Sequence, residues 1–273
     1  MWSVFISADS PQMEALSANL WEAGTSGLLE EPDGFRAFFD DSADRMHICA
    51  NFGVMLSTIR EEQPFQASQL TPSECDPVFL GQRFYVAPSW NTEPPPDGRF
   101  RVSIDATSAF GSGRHESTRM CVDVLEKHLK PSDWVADIGC GSGILGAAAQ
   151  LLGAGNVISC DIHQDSVRTA RALMQTPIFV GSADGIRGQV ADLLLANISR
   201  KVLDIIAADL KRITKPNGLI VIAGFLHGNP PKAFIPWEVW QEGDWECWVC
   251  RPQDIQASPT LDDPPPHSQQ WWL

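Results

Sequence analysis

The residues of this chain best suited to chemistry on a nucleotide cofactor are the three alternate glycines of Asp137-Ile138-Gly139-Cys140-Gly141-Ser142-Gly143. Glycine lets the backbone turn tightly and approach a ligand that any side chain would obstruct. The glycines alone do not choose the ligand, because Gly-x-Gly-x-x-Gly dinucleotide loops share the strand, turn and helix. Here the spacing is Gly-x-Gly-x-Gly, and Asp137 stands two positions before the first glycine. A carboxylate there opposes a pyrophosphate at the helix N-terminus but not a cation. S-adenosylmethionine has no phosphate and carries an ammonium and a sulfonium, so Asp137, Gly139 and Gly141 read as its loop rather than an NAD loop. A β-branched side chain at Gly139 is expected to fill the space where the cofactor meets the backbone.

Further candidates lie downstream and upstream of that loop. Asp161 ends the second strand of the pattern, where an acid accepts hydrogen bonds from both ribose hydroxyls of a nucleoside. Asp184, in Ser182-Ala183-Asp184-Gly185, is placed either to accept from the adenine amino group or simply to form the turn. Asn197 follows the buried run Asp192 to Ala196, and ligands in such sheets bind outside the carboxyl ends of the strands, beside Asp161 and the glycine loop. Upstream, Ala109 to Thr118 is a glycine and hydroxyl loop ahead of a helix, able to offer N–H groups and hydroxyls from the opposite side. His115 lacks companion ligands and reads as a cap or packing residue rather than a metal ligand. Cys247 and Cys250 sit three apart in an alternating strand, on opposite faces, and read as structural. No dedicated base and no metal site are evident.

The elements that must position these residues alternate strand and helix. Strands are expected at Trp134 to Ile138, Asn156 to Cys160, Pro177 to Val180, Asp192 to Ala196 and Leu219 to Ala223, with helices at 118–129, 144–152, 164–174 and 200–213 between them. Trp237 to Gln241 and Trp245 to Cys250 close the sheet as an antiparallel pair. This is an α/β, doubly wound, Rossmann-like pattern. Ahead of it, Val78 to Leu80 and Arg83 to Ala87 flank Gly81-Gln82 as a hairpin, and Phe100 to Asp105 is a strand. Residues 1–58 read as a separate β-α-β-β-α-β unit of ferredoxin-like type. Its strands fall at Trp2 to Ala8, Thr25 to Glu31, Phe35 to Asp40 and Val54 to Arg60. Its helices fall at Ser10 to Ala23, closed by Gly24, and at Ser42 to Asn51, and Pro32-Asp33-Gly34 makes its hairpin turn. Residues 59–77 form a proline-bearing linker, 78–251 the catalytic domain and 252–273 a polar tail ending in Trp271-Trp272-Leu273.

A chain of 273 residues with 44% hydrophobic and 20% charged content can bury such cores. The formal net charge of -14 argues against a nucleic acid backbone as the main partner and suits a basic protein. Seven scattered cysteines point to a reducing compartment, and no apolar run long enough for a membrane span is present, so a cytoplasmic location is expected.

The Trp2 start with Leu20-Trp21-Glu22-Ala23-Gly24, the Ala109 to Thr118 stretch, Asp137 to Leu145, Asp161-Ile162 and Ala196-Asn197-Ile198 together resemble the PrmA family, the bacterial methyltransferases of ribosomal protein L11. The likeness runs over about residues 1–250. It implies that the N-terminal domain holds the protein substrate on a flexible linker, and that Thr118, Gly139, Asp161 and Asn197 contact S-adenosylmethionine. It further implies methylation of lysine or N-terminal amines on free, basic L11, with Asn197 accepting a hydrogen bond from the amine and Phe110 helping to position the substrate. Two departures stand out: Ser112 and Ser117 replace the family's usual threonines, and the span from Asp161 to Asn197 is short. Three alternatives remain: a same-fold methyltransferase of another protein or small amine, a non-catalytic S-adenosylmethionine binder, and an oxidoreductase.

Overall fold

In the computed structural model the described residues are 1–8, 16–17, 19–20, 23–25, 27–31, 33–39, 41–61, 76–96, 98–104 and 113–256. They fall into two compact units, the described residues up to 61 in the first and those from 76 onward in the second. Most of the helix expected at Ser10 to Ala23, residues 62–75 of the linker expected at 59–77, the stretch 105–112 with Phe110, and the end of the tail lie outside the described residues.

The first unit is a four-stranded antiparallel sheet. Strands β1 (Trp2–Ser7), β2 (Gly27–Glu31), β3 (Gly34–Phe39) and β4 (Arg60–Glu61) are ordered β2-β3-β1-β4. Alternation on β1 sends Trp2, Val4 and Ile6 into the core, where Trp2 stacks on Phe39 at 4.7 Å between centroids. Helical turns at 16–17 and 19–20 end at Gly24, whose φ of 86° lets the Thr25 N–H return to the Leu20 carbonyl at 3.2 Å. Helix α1 (Arg45–Phe52) starts at Asp44, whose carboxylate accepts from the His47 N–H at 3.0 Å. Among the described residues the order is thus a strand, the helical turns at 16–17 and 19–20, two strands, a helix and a short strand.

The last strand differs from expectation. Instead of Val54 to Arg60 there is a 3-10 turn at Leu56–Thr58 and only two paired residues after it. Met55 and Leu56 are exposed while Val54 and Ile59 pack on the core, and the Thr58 hydroxyl donates to the Met55 carbonyl at 2.6 Å, so local bonding holds the turn between the two inward residues.

In the second unit a seven-stranded sheet runs β10-β9-β8-β11-β12-β14-β13. Its strands are β8 (Trp134–Ile138), β9 (Asn156–Asp161), β10 (Ile178–Val180), β11 (Ala191–Asn197), β12 (Thr214–Leu226), β13 (Glu238–Glu242) and β14 (Trp245–Cys250). The first five are mutually parallel, and β14 enters antiparallel between β12 and β13. Helices α2 (Glu116–His128), α3 (Ile144–Leu151), α4 (Gln164–Leu173) and α5 (Arg200–Ile213) accompany the sheet. Leu193, Leu194 and Leu195 are all buried, as a parallel strand covered on both faces requires. Residues Lys215 to Gly218 form a bulge inside β12, where the register jumps from Ala191↔Thr214 to Leu193↔Leu219.

A separate three-stranded sheet holds β5 (Val78–Leu80), β6 (Phe84–Pro88) and β7 (Phe100–Ile104). The β5–β6 hairpin is the expected one, with Gly81 at φ 57°. Glu126 of α2 secures it, accepting from the Gln82 and Arg83 N–H groups at 2.9 Å each. Cys247 and Cys250 are both buried: Cys247 lies 4.0 Å from Cys121 of α2, while Cys250 joins the core cluster of Ala136 and Ile220. Among the described residues no helix is long and apolar enough to cross a membrane.

Candidate active site

The carboxyl ends of β8, β9 and β11 bring most of the candidate residues to one edge. After Ile138 the chain turns through Gly139, Gly141 and Gly143 at φ of 70°, 52° and 83°, conformations that side chains rarely adopt. Asp161, at the end of the neighbouring β9, accepts from the Gly141 N–H at 2.9 Å through one oxygen and from the His163 N–H at 2.9 Å through the other. A carboxylate has about four acceptor positions, so Asp161 is fixed in place and still able to accept from ribose hydroxyls.

The three glycines have different surroundings. A Cβ at Gly139 would come 2.4 Å from the Ile198 side chain, whereas one at Gly141 would meet nothing within 4 Å. Ile198 thus fills the space a side chain at Gly139 would need, while the space over Gly141 is open. A Cβ at Gly143 would meet Ala170 and Met174 of the adjoining helix at 2.9 Å, so the third glycine serves packing.

Asp137 lies deeper than its role as a cation's counter-charge suggests. It is buried, and its carboxylate accepts from the Gly146 N–H at 3.1 Å, pinning helix α3 to the end of β8. Burial pushes its pKa up to about 7, the Gly146 bond opposing and the Asp161 charge adding to the rise. Burial thus favours the neutral carboxyl, which leaves it a weaker repellent of anions than the sequence implied.

Thr118 and Asn197 meet across the site. The Asn197 amide donates to the Thr118 hydroxyl at 3.4 Å, joining the first turn of α2 to the end of β11. His115 is the cap of α2, its Nδ1 accepting from the Ser117 N–H at 3.2 Å and its ring edge-on to Trp245 at 4.5 Å. Burial holds its pKa below the usual value, which keeps Nδ1 free to accept. Asp184 is exposed on a one-turn 3-10 helix after β10, and Val180 at the end of that strand pairs with Asp161. It shares the edge with the other residues, one strand further out. Phe110 lies outside the described residues. Among the described residues no group of three or more His, Cys, Asp or Glu is arranged to hold a metal.

Open space over Gly141, a fixed carboxylate beside it, and a neutral amide and hydroxyl at the end of β11 on the same sheet edge are groups that suit an adenosyl cofactor. The profile of the family "Ribosomal protein L11 methyltransferase (PrmA)" matches residues 51–252. A protein of that name from Cupriavidus taiwanensis is 33% identical over 231 residues, 78% of this chain and 76% of its own length.

This chain belongs to the PrmA family.

Another relative of the same name, from Burkholderia thailandensis, is 34% identical over 201 residues, 70% of this chain. The chain covers 66% of that relative's length. A solved ribosomal protein L11 methylase from Lactobacillus delbrueckii subsp. bulgaricus superposes with a TM-score of 0.57 at 23% identity, over 63% of this chain and 95% of the solved one. That likeness supports the methyltransferase fold, a Rossmann-like sheet with one reversed strand.

Three features of this PrmA family member were not read from sequence. Ile198 closes on Gly139, the Gly141 N–H is spent on Asp161, and an exposed His227 is bonded to a buried Glu246. Only the first has a sequence signal, an apolar residue directly after Asn197.

Proposed function

We propose that this protein is an S-adenosylmethionine-dependent N-methyltransferase acting on lysine side chains or the N-terminal amine of free ribosomal protein L11, in the cytoplasm. Membership of the PrmA family carries the reading, supported by the convergence of Gly141, Asp161, Thr118 and Asn197 on one sheet edge.

S-adenosylmethionine supplies an electrophilic methyl group on a sulfonium. The protein's part is to position and desolvate, since in-line displacement needs a near-attack geometry rather than a covalent catalyst. Asp161 would accept from the ribose hydroxyls, and the backbone over Gly141 would admit the cofactor closely. Asp184 would stand on the adenine side. Asn197 would accept from the substrate amine through its side-chain carbonyl, its NH2 being turned to Thr118, and so aim the lone pair without adding charge. A lysine with a free pKa near 10.4 must lose its proton before it attacks. Residues 1–58 would hold the substrate, residues 59–77 would carry that unit over the catalytic domain at 78–251, and Phe110 would help seat the substrate.

Incubation of the purified protein with methyl-labelled S-adenosylmethionine and separated free ribosomal proteins tests this. Label on lysine or the N-terminal amine of L11 supports the reading. A clean L11 with label on another protein contradicts it.

A further inference from the structure

We propose that His227 is the proton acceptor for the substrate amine and that Glu246 is the residue that positions it. The proposal rests on the methyl-transfer reading above and adds to it the base that the sequence did not disclose.

His227 directly follows β12 on the edge that carries the site. Ala223 pairs with Asn197, the Ile198 N–H donates to the Ala223 carbonyl at 3.1 Å, and a Cβ at Gly224 would come 2.5 Å from the Ile198 carbonyl oxygen. The end of β12 is thus pressed against the segment bearing Asn197. The His227 N–H donates to the Asp244 carbonyl at 2.7 Å, which fixes the residue against the β13–β14 turn.

The side chain has the arrangement of an oriented base. The Glu246 carboxylate is buried and contacts His227 Nδ1 at 2.6 Å through one oxygen, while the other accepts from Trp248 Nε1 at 2.9 Å. A carboxylate accepts and does not donate, so Nδ1 carries the hydrogen and the lone pair stands on Nε2. The His227 side chain is 63% exposed against 8% for Glu246, so the ring meets solvent and its partner does not. Other charges on the surrounding elements are Asp244 in the turn, Lys232 in the following loop and Glu242 on β13, the last paired with Arg119 at 2.7 Å.

Proton bookkeeping is simple. An N–H bond of the substrate ammonium breaks and an Nε2–H bond forms, directly or through water. The freed nitrogen lone pair then bonds the methyl carbon, the carbon–sulfur bond breaks with its electrons passing to sulfur, and the positive charge ends on the methylated nitrogen. The imidazolium later returns its proton to water.

The test is kcat/KM for free L11 between pH 6 and pH 10 in the wild type, His227→Gln and Glu246→Gln, with His227→Ala assayed with and without added imidazole. The wild type should keep its rate toward pH 7. His227→Gln should fall by about 100-fold near pH 7. Its deficit should shrink toward pH 10 as a growing share of the lysine amine, with a free pKa near 10.4, deprotonates unaided. Glu246→Gln should behave likewise, because an amide N–H facing Nδ1 moves the proton to Nε2. Imidazole should restore rate to His227→Ala. A uniform loss at every pH with a lowered Tm and no imidazole rescue would mean that the pair only braces the loop, and would overturn the proposal. An inactive wild type would instead remove the methyl-transfer reading, and the proton acceptor with it.

Discussion

At the level of single residues, the glycines of the cofactor loop divide the work between packing and access. Gly139→Val forces a branched side chain into Ile198 at a left-handed φ, so a loss of about 2–4 kcal/mol of stability is expected, together with loss of cofactor binding. Gly141→Ala meets open space and should cost only about 1 kcal/mol, yet weaken S-adenosylmethionine binding more than tenfold. Chemical denaturation and calorimetry on the two variants separate these effects. Asp161→Ala should also weaken binding, since it removes a charge-assisted acceptor; unchanged affinity would take Asp161 out of the site. Asp137 makes a prediction in pH. Its native pKa of about 7 lies above its ordinary 3.8, so the folded state binds the extra proton and stability from this group falls as pH rises from about 4 to about 7. Asp137→Asn, which keeps an acceptor for Gly146, should therefore gain on the wild type across that window and hold a constant difference above it. A difference independent of pH would contradict the assignment.

Among the secondary-structure elements, helix α2 links three parts of the catalytic unit. Its N-cap is His115, its first turn carries Thr118, and Glu126 near its end holds the β5–β6 hairpin. His115→Ala should cost about 1 kcal/mol of stability. Because burial lowers the native pKa of His115 below its unfolded value, the cap's contribution is present above pH 6.5 and lost as pH falls through the native pKa. The gap between variant and wild type, measured by denaturation, should narrow in acid. The strands and helices from Trp134 onward were legible because a parallel sheet buries continuous apolar runs between amphipathic helices. The segment 54–60 departs from a strand because its inward residues, Val54 and Ile59, are five apart with Met55 and Leu56 exposed between them, a spacing that the 3-10 turn meets and strand alternation does not. Parallel pairing of β6 with β7 was not legible, since periodicity within a strand does not name its neighbour. The sheet edge of the candidate site was legible at Asp161 and Asn197, the last residues of β9 and β11. It was not legible at His227, whose Glu246 partner reaches it only after β14 has crossed back along β12.

For the molecule as a whole, a net charge of -14 should draw a basic substrate, so capture of L11 should weaken as salt rises while S-adenosylmethionine affinity changes little. Steady-state rates across a salt series check this, and a salt-insensitive KM for L11 would contradict it. Residues 76–273 are expected to bind the methyl donor but to lose methylation of L11, because the described residues form two units with separate cores. The most direct measurement of the central claim is intact-mass spectrometry of L11 from cells with and without this gene. L11 should be heavier by whole methyl groups when the gene is present and unmodified when it is absent; L11 of identical mass in both, with the difference on another protein, would contradict the account.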